Sequence, residues 1–207
     1  MKILLADDHV VLRKGLVQIL ADAFPDAHFG EASDAQEALD RLDQDRWDVL
    51  VLDIFMPGRS GLEVLHEVKT RHPGLPVLVL SSAPEEQLAV RVLRGGARGY
   101  LNKQVAAEEL VRAVRKLLAG GRYVSATLAE RFAAEIWQDD GPLHERLSDR
   151  EFEVLRQLVG GRSIQDIARE LSLSPKTIST YHTRIWEKLG VANDVELVRY
   201  ALSHGLV

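Results

Sequence analysis

Three carboxylates, a hydroxyl and an ammonium stand at the ends of short apolar runs. Asp7 and Asp8 follow Lys2–Ala6, Asp53 follows Asp48–Leu52, Ser81 follows Val77–Leu80, and Lys103 follows Gly99–Leu101 after one residue. Carboxylates crowded together form a hard-oxygen site of the kind that suits Mg²⁺, the metal of phosphate chemistry. Such an ion offsets the repulsion between a carboxylate and an incoming phosphoryl group. Asp53 is the candidate nucleophile, giving an aspartyl phosphate. Lys103 pairs with a phosphate oxygen as a compact charge, and Ser81 donates a hydrogen bond to another.

The elements that position these groups are legible in the same stretch. A further run, His28–Ala32, completes five. Between the runs lie segments of helical spacing: Val10–Ala23, Ala35–Asp43, Gly61–Arg71, Glu85–Gly95 and Ala106–Ala119. Alternation of this kind argues a parallel sheet with helices on both faces, and runs that are apolar almost throughout fit strands covered on both sides. Ligands of open α/β sheets bind outside the carboxyl ends of the strands, so all five side chains converge on one cleft. Taken singly, Asp7-Asp8 reads as a turn, Asp53 as a loop residue, Ser81 as a helix cap and Tyr100 as core. Taken together, they place chemistry at four strand ends. Phosphatases of the haloacid-dehalogenase type also use a strand-end aspartate, but need a second acid two residues on to protonate the leaving group. That position is Phe55, which argues against an enzyme.

The C-terminal part reads as four helices with clear starts. Ser148-Asp-Arg-Glu151 is a capping box, Ser163-Ile-Gln-Asp166 a shorter version, Ser174-Pro175 an N-cap before a first-turn proline, and Asn193-Asp-Val-Glu196 another cap. Two short helices, Ser163–Leu171 and Ser174–Leu189, joined by Ser172-Leu173, carry the helix-turn-helix pattern. At about 100° per residue, Ile178, Tyr181, Ile185 and Leu189 form a core stripe of the longer one. Opposite them lie Lys176, Ser179, Thr180, Thr183 and Arg184. Hydroxyls reach base edges or thymine methyls while basic residues hold phosphates; Lys188 adds a backbone contact. Before these helices, Leu128, Phe132 and Ile136 mark an amphipathic helix over 125–137, and Gln138–Arg146 reads as linker.

The net charge is −5, yet the chain from His144 onward holds nine basic and nine acidic residues. A neutral C-terminal part is a weak electrostatic footprint for nucleic acid, so DNA binding rests on pattern. With no cysteine, disulfides, thiol catalysis and cysteine-built zinc sites are excluded. The seven histidines show no metal-ligand spacing. The first apolar run is too short for a signal peptide, and no stretch has the ~18 apolar residues of a membrane span; a cytoplasmic protein is expected.

Residues 1–120 resemble the receiver domains of response regulators, through Asp7-Asp8-His9, Asp53-Ile-Phe-Met-Pro-Gly58 with Gly61, Ser81, and Gly99-Tyr100-Leu-Asn-Lys103. The resemblance implies a flavodoxin-like five-stranded α/β fold with Asp53 as phosphorylation site. Asp8, Asp53 and the Phe55 carbonyl would hold Mg²⁺ with Asp7 acting through water, and Ser81 and Tyr100 would be a switch pair. Receivers often have proline after the lysine; Gln104 stands here, as is common in the subfamily joined to this type of DNA-binding domain. Phe55 and Ala83 flank the phosphoryl site in receivers, and since neither orients an attacking water, self-dephosphorylation is expected to be slow.

Residues 147–207 resemble the all-α, four-helix LuxR-type domain, through Leu147-Ser-Asp-Arg-Glu151, Ile167-Ala168, Leu173-Ser-Pro-Lys-Thr-Ile178 and Lys188-Leu189-Gly190-Val191. That implies a third helix in the major groove of double-stranded promoter DNA and a fourth, with Val195, Val198 and Leu202 on one side, supporting a homodimer. Residues 121–146 become the linker. The union resembles the NarL/FixJ class, which implies a sensor histidine kinase as phosphodonor, RNA polymerase as a further partner, and dimerisation on phosphorylation. The alternative is an atypical regulator whose unphosphorylated receiver serves as a protein-interaction scaffold.

Overall fold

The structure, a computed structural model, describes residues 1–104, 107–125, 128–129 and 142–206. The chain divides into two compact units, Met1–Arg131 and Phe132–Val207. The helix expected over 125–137 lies largely outside the described residues.

The first unit alternates strands β1 (Lys2–Ala6), β2 (His28–Ala32), β3 (Val49–Asp53), β4 (Val77–Ser81) and β5 (Gly99–Asn102) with helices α1 (Val10–Ala23), α2 (Ala35–Gln44), α3 (Gly61–Arg71), α4 (Glu85–Arg94) and α5 (Ala107–Leu118). The sheet is parallel throughout, in order β2-β1-β3-β4-β5. Period-two alternation sends Ile3, Leu5, Val49, Val51, Leu78 and Leu80 to one face, against Leu16 and Leu20 of α1 and Leu110, Val114 and Leu117 of α5. Leu4, Leu50, Leu52 and Val79 point the other way and are also fully buried. Both faces being covered explains why the strands carry so few polar residues. The chain leaves β1 outward to β2 and returns to β3 on its other side, which opens a crevice at the carboxyl ends of β1 and β3.

In the second unit the helices are α6 (Asp149–Val159), α7 (Ile164–Glu170), α8 (Pro175–Leu189) and α9 (Asp194–Ser203). All four expected N-caps form. Ser148 and Glu151 close a reciprocal capping box, and Ser163, Ser174 and Asn193 each accept an N-cap hydrogen bond through the side chain. Phe152, Leu155, Ile167, Ala168, Leu171, Ile178, Ile185, Leu189, Leu197 and Ala201 are buried together as the core residues of these helices. Tyr181 departs from the expected stripe: it is half-buried, where Ile178, Ile185 and Leu189 are buried. Within the stretch read as linker, Leu143–Arg146 form a 3₁₀ turn, pinned where the His144 N–H donates to the Tyr200 hydroxyl at 3.1 Å. Ser172 makes the tight turn before α8 at φ 55°, a left-handed conformation unusual for a residue with a side chain.

Candidate functional site

Asp7 continues the β1–β2 ladder, its N–H donating to the Ala32 carbonyl at 3.1 Å. Its Oδ1 accepts the His9 N–H at 2.8 Å, which bends the chain into α1. Its carbonyl accepts from the Arg13 guanidinium. Arg13 is buried although charged, and its Nε donates to Glu31 Oε2 at 3.0 Å. Lys14 bonds the same carboxylate at 2.6 Å and, with Arg13, holds Glu31 below the usual carboxylate range against the effect of burial. Arg13 thus ties helix, strand end and neighbouring strand together behind the acid pair. No pattern in the sequence singled it out.

Asp53 is 1% exposed and Asp7 2%. The Lys103 ammonium lies 2.7 Å from Asp53 Oδ2 and 2.7 Å from Asp7 Oδ2. The Phe55 N–H donates to Asp53 Oδ1 at 3.1 Å. Burial pushes the Asp53 carboxyl above its ordinary value; Lys103 opposes this and the Asp7 charge adds to it. For Lys103, burial disfavours the charge, but the Asp53 and Asp7 carboxylates outweigh it and raise the ammonium pKa.

With its pKa raised by folding, Asp53 is bound to its proton more tightly in the native state than in the unfolded one. The stability that the protonated form contributes is full below the ordinary carboxylate pKa and is lost as pH rises through the raised value. An asparagine side chain in the same place cannot ionise. In chelator, Asp53→Asn is therefore expected to melt higher than the wild type at neutral pH, with the advantage closing in acid. Thermal midpoints taken across that pH range test it; a variant that melts lower at neutral pH would refute it.

Ser81 is fully buried, its Oγ accepting the Ala83 N–H at 3.1 Å. Tyr100 is packed inward, with its hydroxyl donating to the Ala83 carbonyl at 2.7 Å. Asn102 Nδ2 donates to the same carbonyl at 3.0 Å. The serine and the tyrosine therefore meet at one residue of the β4–α4 loop. The Lys103 N–H reaches the Ser81 carbonyl at 2.8 Å, and Gln104 N–H closes on Asn102 Oδ1 at 2.8 Å, which shapes this loop without proline.

The pocket fits a divalent cation. Asp7, Asp8, His9 and Asp53 each offer a ligand atom, all within 4.8 Å of one another. Asp7 Oδ2 and Asp8 Oδ1 are buried, the first facing the Lys103 ammonium and the second the His9 ring, with no other hydrogen-bond donor on either. Crowded carboxylate oxygens with unspent lone pairs are the donor set of a hard ion such as Mg²⁺. Sequence spacing assigned no histidine here; His9 is in the cluster because the turn after β1 folds its ring back over the acids.

On α8, Lys176, Ser179, Thr180, Thr183 and Arg184 are all exposed. The three hydroxyls donate to the carbonyls of Pro175, Lys176 and Ser179 at 3.0, 3.0 and 3.1 Å. Lys188 differs from the others: its ammonium lies 2.6 Å from Glu151 Oε2, the capping carboxylate of α6, so the structure gives it a job inside the unit. On α9, Val195, Val198 and Leu202 are 78%, 36% and 64% exposed.

Comparison with known proteins agrees with both halves. Residues 3–115 match the response regulator receiver domain, and residues 145–201 match the luxR family of bacterial regulatory proteins. The chain belongs to the response regulators that join a receiver to a LuxR-type DNA-binding domain. Response regulator GacA of Pseudomonas syringae pv. syringae (strain B728a) is 36% identical over all of this chain and 97% of its own length. RcsB from Salmonella enterica serovar Typhimurium, solved bound to promoter rprA with phosphomimetic BeF₃⁻, is 30% identical with a TM-score of 0.68, covering 98% of this chain and 99% of that one. RcsB solved as two dimers bound to two parallel DNAs is 28% identical with a TM-score of 0.61, covering 98% of each chain. Response regulators of this kind are regulators of transcription that work with sensor kinases and promoter DNA, and their receivers hold Mg²⁺ in an acidic pocket such as this one. Among the described residues, no helix is long and apolar enough to cross a membrane.

Proposed function

We propose that Asp53 accepts a phosphoryl group from a sensor histidine kinase and that this switches promoter binding by the C-terminal helices. The observation that carries the reading is Lys103 bridging Asp53 and Asp7, 2.7 Å from each, beside Asp8 and Ser81 at the carboxyl edge of the sheet. In the transfer, an Asp53 oxygen attacks phosphorus, the P–N bond to the donor imidazole breaks, and its electron pair stays on the ring nitrogen. Asp8, Asp53 and the Phe55 carbonyl would hold Mg²⁺, with Asp7 acting through water, and the ion would supply charge that lowers the repulsion in that approach. Lys103 then pairs with a phosphoryl oxygen. Ser81 leaves the Ala83 N–H to donate to another, and Tyr100, already bonded to Ala83, stabilises the loop in its new position. A change of balance between receiver states is the switch.

In this reading residues 1–120 are the receiver, 121–146 the linker and 147–207 the DNA-binding domain of a cytoplasmic regulator, not an enzyme. Lys176 and Arg184 hold phosphates while Ser179, Thr180 and Thr183 face base edges. Because their protons are spent on the helix backbone, the three hydroxyls enter the groove as acceptors and suit the adenine N6 and cytosine N4 amines. The exposed apolar stripe of Val195, Val198 and Leu202 pairs with its copy in a homodimer, which reads two half-sites, and RNA polymerase is the downstream partner.

The test is to treat the full chain with Mg²⁺ and acetyl phosphate and record intact mass, solution size and binding to random-sequence operator pools. One phosphoryl adduct, absent in Asp53→Asn, and a shift toward dimer are expected. Arg184→Ala is expected to lose DNA binding while keeping the adduct. No adduct in the wild type would favour the scaffold alternative.

A further inference from the structure

His9 is the N-cap residue of α1, yet it makes no capping hydrogen bond with its side chain. The caps of α6, α7, α8 and α9 all do. Its ring turns instead toward the acid pair. Nδ1 lies 2.7 Å from Asp8 Oδ1 and 3.3 Å from Asp7 Oδ1, and the ring is 65% exposed at the mouth of the pocket. The His9 N–H also donates to Asp7 Oδ1, at 2.8 Å, so backbone and ring both face the acid pair. Deeper in, Asp7 is 2% exposed, and its Oδ2 faces only the Lys103 ammonium. Asp8 Oδ1 is likewise buried and faces only the His9 ring.

These separations are those of neighbouring ligands. With metal–ligand bonds of about 2.1 Å, adjacent donors around one ion sit roughly 3 Å apart. The donor types also matter. A set of carboxylates and carbonyls suits Mg²⁺, which gains nothing from an imidazole. Adding one imidazole favours later divalent ions, whose affinity for nitrogen rises through cobalt and nickel.

We propose that His9 makes the acid pocket a mixed nitrogen–oxygen site for a borderline divalent ion of the cobalt, nickel and zinc class, bound through His9 Nδ1 and the Asp8 carboxylate in competition with Mg²⁺. The proposal rests on reading Asp8 as a metal ligand, and it assigns to His9 the choice between ions rather than any part in phosphoryl transfer.

The experiment is calorimetric titration of the full chain with MgCl₂ alone and CoCl₂ alone, for wild type, His9→Gln and Asp8→Asn, with the visible spectrum of bound Co²⁺ recorded alongside. Co²⁺ binding that Asp8→Asn removes is counted as this site, which separates it from other histidines. His9→Gln is expected to weaken that Co²⁺ binding by at least about tenfold, to change its spectrum, and to leave the Mg²⁺ affinity within about twofold. Equal losses for both ions would overturn the proposal, since His9 would then only orient Asp8. Unchanged Co²⁺ binding in either variant would overturn it too. An Mg²⁺ isotherm indifferent to Asp8→Asn would instead strike at the Mg²⁺ reading itself, in a separate arm of the same measurement.

Discussion

Gly61→Ala is expected to cripple phosphoryl acceptance and to lower stability together. A Cβ at Gly61 would lie 2.2 Å from the Asp53 carbonyl oxygen and 2.6 Å from Ile54 Cα. Both are backbone atoms, so no side chain can swing aside. The start of α3 is docked on the end of β3 there, with the Gly61 N–H donating to the Ile54 carbonyl at 3.0 Å and Ser60 Oγ capping Leu62 at 3.2 Å. Either the helix lifts or the strand end moves. Overpacking a rigid interior costs about 1–3 kcal/mol and occasionally more, and a clash with main chain belongs at the upper end. The same displacement draws the Asp53 carboxylate off Lys103. A shift on the order of 1 Å in a reacting group costs roughly a hundredfold in rate, so acetyl phosphate labelling at saturating Mg²⁺ is expected to fall by about that factor. Gly58→Ala is the control. Gly58 has a left-handed backbone, at φ 80°, but nothing lies within 4 Å of its missing Cβ. It is expected to lose about 1 kcal/mol from backbone strain with labelling nearly unchanged. Equal labelling by Gly61→Ala and the wild type would show that the close approach does not position Asp53.

Gly61 also marks the limit of what is legible in the sequence. The matching glycine is visible as part of a motif, but its reason, a helix pressed onto the carbonyl of Asp53, needs the packing of α3 on β3. The five strands and the helix starts were legible because their causes are local. Doubly covered strands must be apolar, and Ser148, Ser163, Ser174 and Asn193 announce helices by satisfying N–H groups within four residues of themselves. Arg13 is invisible in the sequence because a buried guanidinium on a helix looks like any exposed arginine until the fold sets it against the Asp7 carbonyl at the end of β1 and Glu31 of β2. The pairing of Lys188 with Glu151 is illegible in the sequence because the two lie 37 residues apart. Tyr181 falls in the apolar stripe by angle but is only half-buried. His9 was passed over because ligand spacing along the chain is a poor guide where a turn, rather than a helix or strand, brings the donors together.

The second large effect concerns the lifetime of the phosphorylated state. Loss of the group requires a water in line with the P–O bond to Asp53 and a base to take its proton. Phe55, two residues beyond Asp53, is anchored to it through the 3.1 Å hydrogen bond to Oδ1. Its side chain has no acceptor. Ala83, on the opposite loop, is fully buried, and its carbonyl already accepts from Tyr100 and Asn102. Water can therefore approach but is neither aimed nor deprotonated. The acyl phosphate is expected to persist for minutes or longer with no phosphatase present. Phe55→Glu installs a carboxylate where the base is lacking. A positioned general base contributes about 10²–10⁴-fold; without an evolved fit, the lower end is expected, so decay of the adduct by intact mass should quicken by tens of fold or more. Phe55→Leu separates the two roles of the ring, since it keeps an apolar cover and adds no base. It should decay nearly as slowly as the wild type. If Phe55→Leu decays as fast as Phe55→Glu, the ring acts by excluding water rather than by failing to activate it. A wild-type half-life of seconds would remove the premise for both. An acid two residues after Asp53 is what a turnover phosphatase of this geometry needs to complete its cycle. Phe55 supplies none, and in the proposed function a phosphoryl group that stays on Asp53 can be read by a slower event such as pairing on DNA.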